Sequence, residues 1–429
     1  MVAGDTGGRK ITINMIVPSW GAKCGVAEYS KALVEALAFV AGRECQVRVS
    51  RCDLRPYDLR PDQGPGGVHI QHEYGLYTTP ALRFLIATAR SWGVPVIITM
   101  HDFMAQAQER NELIRSCADV IIVHSSQLAG EFVRLGAAAE RVRVIPMGCK
   151  EYPLGDRDAT RRSLGIGNSP AIGFFGFVLP SKGIFELAAA TKLLRRDYPG
   201  LVCFIFGSSP FFAESSASEI GSEMAARGLG EGIILRPDYK PLEEVVSYLH
   251  AMDVNVLPYR NVGFIGTSSA VRVLMGARRP IITTDVPYFA DLQGEVYKIP
   301  SADPAYIAGA VQEILTSHDR QEELISRMTT YLKANSWEEV ARKHVEVYWG
   351  AARAARYAPA PTPAQAPIRF IPGESAVLNS IAGHAPGTLE GGVPGASPTV
   401  WAPVTWSPGV PEWMWERVVN RFGRRGVPR

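Results

Sequence analysis

Two groups of residues in this chain have types and spacings suited to chemistry. The first suits anion binding. Gly21 and Gly25 stand in a turn that opens the helical pattern VAEYSKALVEALAFV, where the backbone N–H groups of Val26 and Ala27 can approach a phosphate. Lys182 stands just before Gly183 and the helical pattern IFELAAATKLL, so a cation adjoins a helix N-terminus, a pairing that fits a diphosphate. Gly266, Thr267, Ser268 and Ser269 open a third helix, with hydroxyls able to cap it or to hydrogen-bond a ligand, and Arg272 lies one turn further on. The second group sits at strand ends. His72 and Glu73 close VHIQHE, and His101 and Asp102 close PVIITMHD, so parallel strands would carry all four to one carboxyl edge, with Asp102 placed to orient His101. Plainer readings stay open for each: an ordinary βα turn, a solvated lysine, a helix-surface arginine, a histidine bonded to a loop carbonyl.

Other chemistries lack their residues. No GxxxxGK[ST] loop, GxGxxG fingerprint or GxSxG elbow occurs, which argues against a P-loop triphosphatase, a nicotinamide enzyme and an α/β-hydrolase. No metal set is expected. Six scattered cysteines form no zinc spacing and predict small buried hydrophobes in a reducing compartment. The charge of +3, from 45 basic and 42 acidic residues, excludes a general nucleic-acid binder. With 46% hydrophobic and 20% charged residues the composition is that of a globular protein, and no apolar run is long enough for a membrane span. The opening MVAGDTGGRKITIN lacks the apolar core of a signal peptide, so the expected location is cytoplasmic.

These residues need elements to hold them. Short apolar strands (KITINMIVPSW, residues 46–51, VHIQHE, PVIITMHD, DVIIVHS and RVRVIPMG) alternate with helical patterns that include Pro80–Trp92, Gln106–Cys117 and Ser126–Leu135. That alternation predicts a parallel, doubly wound α/β domain over 10–150. Glu151–Ser169 reads as a linker. A second series over 169–335 has strands AIGFFGF, VCFIFGS, GIILRPD, VNVLPY and PIITTD, so two tandem Rossmann-like domains leave a cleft between their carboxyl edges. A helical pattern over Gln321–Tyr357 breaks near Asn335–Ser336, where S-W-E-E forms a capping box, and 336–357 reads as the closing helix of the second domain. A C-terminal extension rich in Pro, Ala and Gly follows over 358–411, then a basic amphipathic tail over 412–429 suited to packing on the catalytic body, to peripheral contact with the inner membrane, or to a protein partner.

Five segments resemble, in order, the retaining glycosyltransferases of family 4, which have the GT-B fold: PSWGAKCGVAEYSKAL, VHIQHEYGLY, ADVIIVHSSQLAGEFVRLGAAAERVRVIPMG, GFFGFVLPSKGIFELAAAT and VLPYRNVGFIGTSSAVRVLMGARRPIITTDVPYFADL. They run from Ile11 to Leu292, about two thirds of the chain, and look most like mannosyltransferase-like enzymes of bacterial envelope polysaccharides. The resemblance implies transfer of a sugar, mannose by that likeness, from a GDP- or UDP-linked donor to a glycan or glycolipid acceptor with retention, without metal or cofactor. It gives Gly21, Gly25, Val26, Lys182, Gly266, Thr267, Ser268, Ser269 and Arg272 to the donor, and His101 and Lys182 to catalysis, with the His101 side chain hydrogen-bonding the reacting sugar. His72, Glu73 and Asp102 fall on the acceptor side. The chain departs from the pattern at Phe177, where the family usually has an arginine, and at Ile265 and Val273, where it carries glutamates. Those departures keep open an alternative, a non-catalytic GT-B relative that binds nucleotide or sugar or serves as a partner subunit. A GT-B epimerase or phosphorylase is a further one.

Overall fold

The computed structural model describes residues 10–22, 24–51, 66–209, 215–238 and 240–357. The Pro-rich 358–411 and basic 412–429 segments, and most of the loop over 55–67, lie outside the described residues. Two parallel six-stranded sheets follow one another along the chain. The first contains β1 (Ile11–Ile16), β2 (Cys45–Ser50), β3 (Gly66–His72), β4 (Val96–Met100), β6 (Val120–Val123) and β7 (Val142–Val144), in the order β2-β1-β3-β4-β6-β7. A two-residue β5 (Asp102–Phe103) lies just beyond β4. The helices α1 (Gly25–Ala41), α2 (Thr79–Ser91), α3 (Gln108–Cys117) and α4 (Ser126–Arg134) connect the strands.

The second sheet contains β8 (Ala171–Phe175), β9 (Val202–Phe206), β10 (Ile233–Arg236), β11 (Val254–Leu257), β13 (Ile281–Thr284) and β14 (Tyr297–Ile299), in the order β10-β9-β8-β11-β13-β14. Its helices are α6 (Ile184–Leu194), α7 (Ala217–Ala226), α8 (Leu242–Ala251), α9 (Ser269–Gly276), α10 (Pro304–Thr316) and α11 (His318–Ala334). Strand order reverses between β1 and β3 in the first sheet and between β8 and β11 in the second. Ligands of open α/β sheets bind at the carboxyl ends of strands at such reversals. The two domains touch there: β12 (Ile265–Gly266) pairs antiparallel with β5, Gly266 opposite Asp102.

The strands form where the sequence is apolar on both faces. Met15, Val96, Ile98, Phe174, Phe204 and Val256 are fully buried, each worth about 1.5–3 kcal/mol against exposure. Most helix starts follow side-chain caps. Thr78, Ser125, Asp156, Asp303 and Ser317 each accept a first-turn N–H, and Ser216 forms a capping box with Glu219.

Two segments differ from the expectation. Within Glu151–Ser169 a helix, α5 (Arg157–Ser163), packs on α8, because Arg161 donates to the carbonyls of Ala251, Gly167 and Ser169 while Arg157 and Arg161 both pair with Asp253. An Asp-x-Asp spelling, Asp156 to Asp158, lies at its start, where Asp156 caps the helix. The pattern over Gln321–Tyr357 does break at Ser336, whose hydroxyl accepts the Glu339 N–H. The helix beyond it, α12 (Trp337–Tyr357), crosses back to the first domain instead of closing the second. Its Val340, Ala341, Tyr348, Ala351 and Ala352 join the core of Ile11, Ile13, Leu33 and Leu37, apolar surface that α1 and β1 would otherwise leave in water. The outgoing and returning crossings lie side by side, joined by Cys149 N–H to Asn335 O at 2.8 Å, and Gly148 leaves room for Trp337.

Candidate active site

Three helix N-termini at these strand ends lack side-chain caps. The residues before them are Cys24 (α1), Gly183 (α6) and Ser268 (α9), and none caps its helix. First-turn N–H groups have no intrahelical partner, so uncapped ends carry partial positive charge available to an anion. Two of them face each other across the domain boundary: a β-carbon built on exposed Gly25 would lie 3.7 Å from Ser269 Oγ. Val26 and Ala27 sit in the first turn of α1, and Gly21 stands in the preceding loop at φ +81°. The Ser268 hydroxyl lies 3.3 Å from Tyr259 Oη, and Thr267 Oγ1 is buried without a partner.

Lys182 is the cation of this region. Its Nζ lies 3.8 Å from the centre of the Tyr259 ring and 4.9 Å from that of Tyr288, and no carboxylate pairs with it among the described residues. Burial lowers its pKa to about 8. Gly183 fixes its position. At φ +72° a β-carbon there would fall 1.8 Å from the Pro258 carbonyl oxygen, so only glycine fits. Gly183→Ala is expected to destabilise the protein by about 1–3 kcal/mol and to displace Lys182. Thermal melts of the variant with and without a nucleoside diphosphate measure both effects.

Arg272 does not serve as a free cation. It is buried and ion-paired with Asp291, donates to Tyr331 Oη at 3.0 Å and to Ser268 O at 3.3 Å, and so ties α9 to α11. Arg272→Ala leaves Asp291 buried and unpaired, so a stability loss of about 3 kcal/mol is expected in chemical denaturation. Phe177 is partly exposed and brings no charge, while Ile265 packs beside the first-domain core and Val273 beside the second.

The first domain's edge is arranged differently from the expectation. His101 is 9% exposed, and both its ring nitrogens are taken: Nε2 lies 2.9 Å from Gln71 Oε1 and Nδ1 lies 3.3 Å from His124 Nε2. Tyr29 stands edge-on to its ring at 4.8 Å. The side chain therefore presents no nitrogen to a sugar in this state, and Gln71 and His124, not Asp102, orient it. Asp102 lies beneath β12, with Oδ1 buried and unpartnered. Burial first, and then nearby Glu73, raise its pKa well above the usual carboxylate value, and burial raises that of Glu73. Their charge also reaches Tyr288 of the second domain. His72 is fully buried against Tyr74 and Tyr77, with both ring nitrogens unpartnered.

Sequence reasoning missed Gln71, His69, His124, Tyr259 and Tyr288. Two signals were available: His69 and Gln71 put polar side chains at alternate positions of buried β3, and His124 follows β6 as His101 follows β4. Beside Tyr259 a cavity of about 470 Å³ opens over the carboxyl ends of β11, β13 and β14, lined among others by Glu186, Arg260, Asp285, Val286 and Asp303. A larger cavity of about 570 Å³ lies at the opposite edge of the first sheet, between β7 and α12, away from this chemistry. Among the described residues no group of three or more His, Cys, Asp or Glu could hold a metal ion, and no helix is long and apolar enough to cross a membrane.

Residues 61–150 match the family described as Glycosyltransferase Family 4, and residues 169–317 match that described as Glycosyl transferases group 1. The chain is 28% identical over 253 residues to D-inositol 3-phosphate glycosyltransferase of Corynebacterium urealyticum, covering 54% of this chain and a little over half (56%) of that protein. It is 21% identical to alpha-maltose-1-phosphate synthase of Mycolicibacterium smegmatis over 80% of this chain and 95% of that one. Among solved structures, Anabaena HepE in complex with UDP and glucose superposes with a TM-score of 0.63 at 14% identity, covering 79% of this chain and 99% of that one, a likeness of fold. Two parallel sheets that meet through β5 and β12, with both halves matched in order, place this chain in the group 1/family 4 glycosyltransferases, a GT-B-fold family of retaining, nucleotide-sugar-dependent enzymes.

Proposed function

We propose that the chain transfers a sugar from a nucleoside diphosphate donor to a hydroxyl of a glycan or glycolipid acceptor, with the donor on the second domain and the acceptor against the first. One observation carries the reading: Lys182, unpaired and held between Tyr259 and Tyr288, stands at the strand-order reversal of the second sheet beside uncapped α6 and near uncapped α9. An anion there neutralises a half-buried cation and accepts hydrogen bonds from orphan N–H groups. The same groups stabilise the charge that grows on a departing diphosphate. The leaving diphosphate itself then helps to deprotonate the acceptor, so no protein base is required.

UDP is the favoured nucleotide, since HepE binds UDP in the same fold. Mannose remains the sugar implied by the sequence resemblance alone. The acceptor lies along Glu73, Asp102 and Tyr288, whose oxygens suit sugar hydroxyls. Incubation of the full chain with UDP-glucose, UDP-GlcNAc and GDP-mannose, with and without acceptor sugars, tests the proposal by nucleotide release. Release stimulated by an acceptor supports it. Nucleotide binding with no turnover of any donor favours instead the non-catalytic relative, for which Phe177, Ile265 and Val273 speak, because those positions carry neither cation nor carboxylate.

A further inference from the structure

His101 is one link in a buried chain of hydrogen bonds that runs through the first domain. Tyr348 Oη of α12 lies 2.8 Å from His69 Nδ1, and His69 Nε2 lies 2.7 Å from Thr99 Oγ1 and 3.2 Å from Gln71 Nε2. Gln71 Oε1 lies 2.9 Å from His101 Nε2, His101 Nδ1 lies 3.3 Å from His124 Nε2, and His124 Nδ1 lies 3.0 Å from the carbonyl oxygen of Ile145. These groups come from β3, β4, α12 and the ends of β4 and β6, and all of them are buried.

The carbonyl of Ile145 fixes the direction of the chain. A carbonyl only accepts, so His124 Nδ1 carries a proton. A neutral His124 then has a bare Nε2, which must accept from His101 Nδ1–H. A neutral His101 in turn has a bare Nε2, which must accept from Gln71. The two ends of a glutamine amide exchange without moving any other heavy atom, and the network decides which end faces where. With the amide nitrogen toward His101, its oxygen and Thr99 Oγ1 share the single His69 Nε2–H, and His69 Nδ1 accepts from Tyr348. Every bond is then satisfied in one direction with no charge. With the oxygen toward His101, Nε2 of His101 must carry a proton as well, and the His101–His124 pair holds one positive charge.

We propose that Gln71 and His124 are positioning residues that hold His101 as the neutral Nδ1–H tautomer, and that the Gln71 amide turns over whenever the His101–His124 pair takes up a proton. The proton enters at His101 Nε2, and Nδ1–H continues to bond His124. Burial favours the uncharged arrangement, and so do the imidazoles around His101: His124, His69, His72 and His344 all oppose a charge on it. Tyr29 and Tyr348, the other titratable groups of α1 and α12 here, are held neutral by burial. Asp102, the next residue, is held toward its protonated form, and Arg272 and Asp291 act on His124 with opposite signs. The bearing of this on transfer rests on the proposed function: a neutral imidazole beside the cleft does not oppose positive charge growing on the donor sugar. The tautomer itself does not depend on that reading.

The test is NMR of the full chain with ¹⁵N-labelled histidine, the His101 signals assigned by their loss in His101→Asn. At pH 7.5 the wild type is expected to show His101 protonated on Nδ1 and bare on Nε2. In Gln71→Glu a carboxylate that only accepts faces His101, so both nitrogens should be protonated at that pH. The acid limb of the nucleotide-release rate should then rise by at least one pH unit, while UDP affinity stays within about twofold. A proton on Nε2 in the wild type, or a bare Nε2 in Gln71→Glu, overturns the proposal. If Gln71→Glu does not fold, the wild-type spectrum alone decides. Absence of any turnover would defeat the proposed function and leave the tautomer result standing.

Discussion

Lys182→Ala should lower nucleotide release from the preferred donor by about 10²- to 10³-fold. Its Nζ is a half-buried charge without a carboxylate among the described residues, held by the faces of Tyr259 and Tyr288. Neither candidate from the sequence takes its place: Arg272 is committed to Asp291, and Phe177 supplies no charge. The depressed pKa of about 8 gives a second signature. In the free protein Lys182 loses its proton as pH rises through about 8, so affinity for a diphosphate should fall above that pH in the wild type and not in Lys182→Met. Below it the folded chain keeps a charge that burial disfavours. Lys182→Met should therefore stabilise the ligand-free protein by about 1–3 kcal/mol at pH 7 while abolishing most turnover. Turnover within threefold of wild type would remove Lys182 from the site.

Acid should unfold this protein through its first domain. His69, His72, His101, His124 and His344 are buried and held below the ordinary histidine value by desolvation, His124 and His344 down to about 4. Above about pH 6.5 these side chains are neutral in both folded and unfolded chains. As pH falls from about 6.5 toward 4, the unfolded chain binds protons first and the folded state loses about 1.4 kcal/mol per pH unit for each such histidine. Glu73 and Asp102 act in the opposite sense, because their raised values let the folded state take up protons first. Five histidines outweigh two carboxyls, so the melting temperature should drop steeply across that window. His344→Phe, which removes a ring whose Nε2 is buried and unpartnered, should flatten the slope by about one proton. An unchanged slope would show that His344 is charged in the fold.

Much of this was legible in the sequence, for local reasons. β4 and β11 read as strands because apolar residues occupy both faces, and the break before α12 showed in Ser336 and Glu339. Lys182 with Gly183 was legible because a glycine before a helix is a backbone requirement, here a left-handed φ against the Pro258 carbonyl. What was not legible depends on partners distant in sequence. Arg272 looks like a free cation until Asp291, nineteen residues on, is folded against it. His101 looks poised for a sugar until Gln71 and His124 close on both nitrogens. The return of α12 to the first domain depends on which apolar face, α1 or α11, it covers. Tyr348 of α12 packs into the core under α1 and bonds His69, 279 residues earlier.

A crystal structure of the full chain with bound UDP tests the central claim most directly. The diphosphate is expected within hydrogen-bonding distance of Lys182 Nζ and of first-turn N–H groups of α9, with the nucleoside over the carboxyl ends of β11 and β13. A nucleotide seated elsewhere, or Lys182 still enclosed by Tyr259 and Tyr288 with no anion on it, would contradict the account.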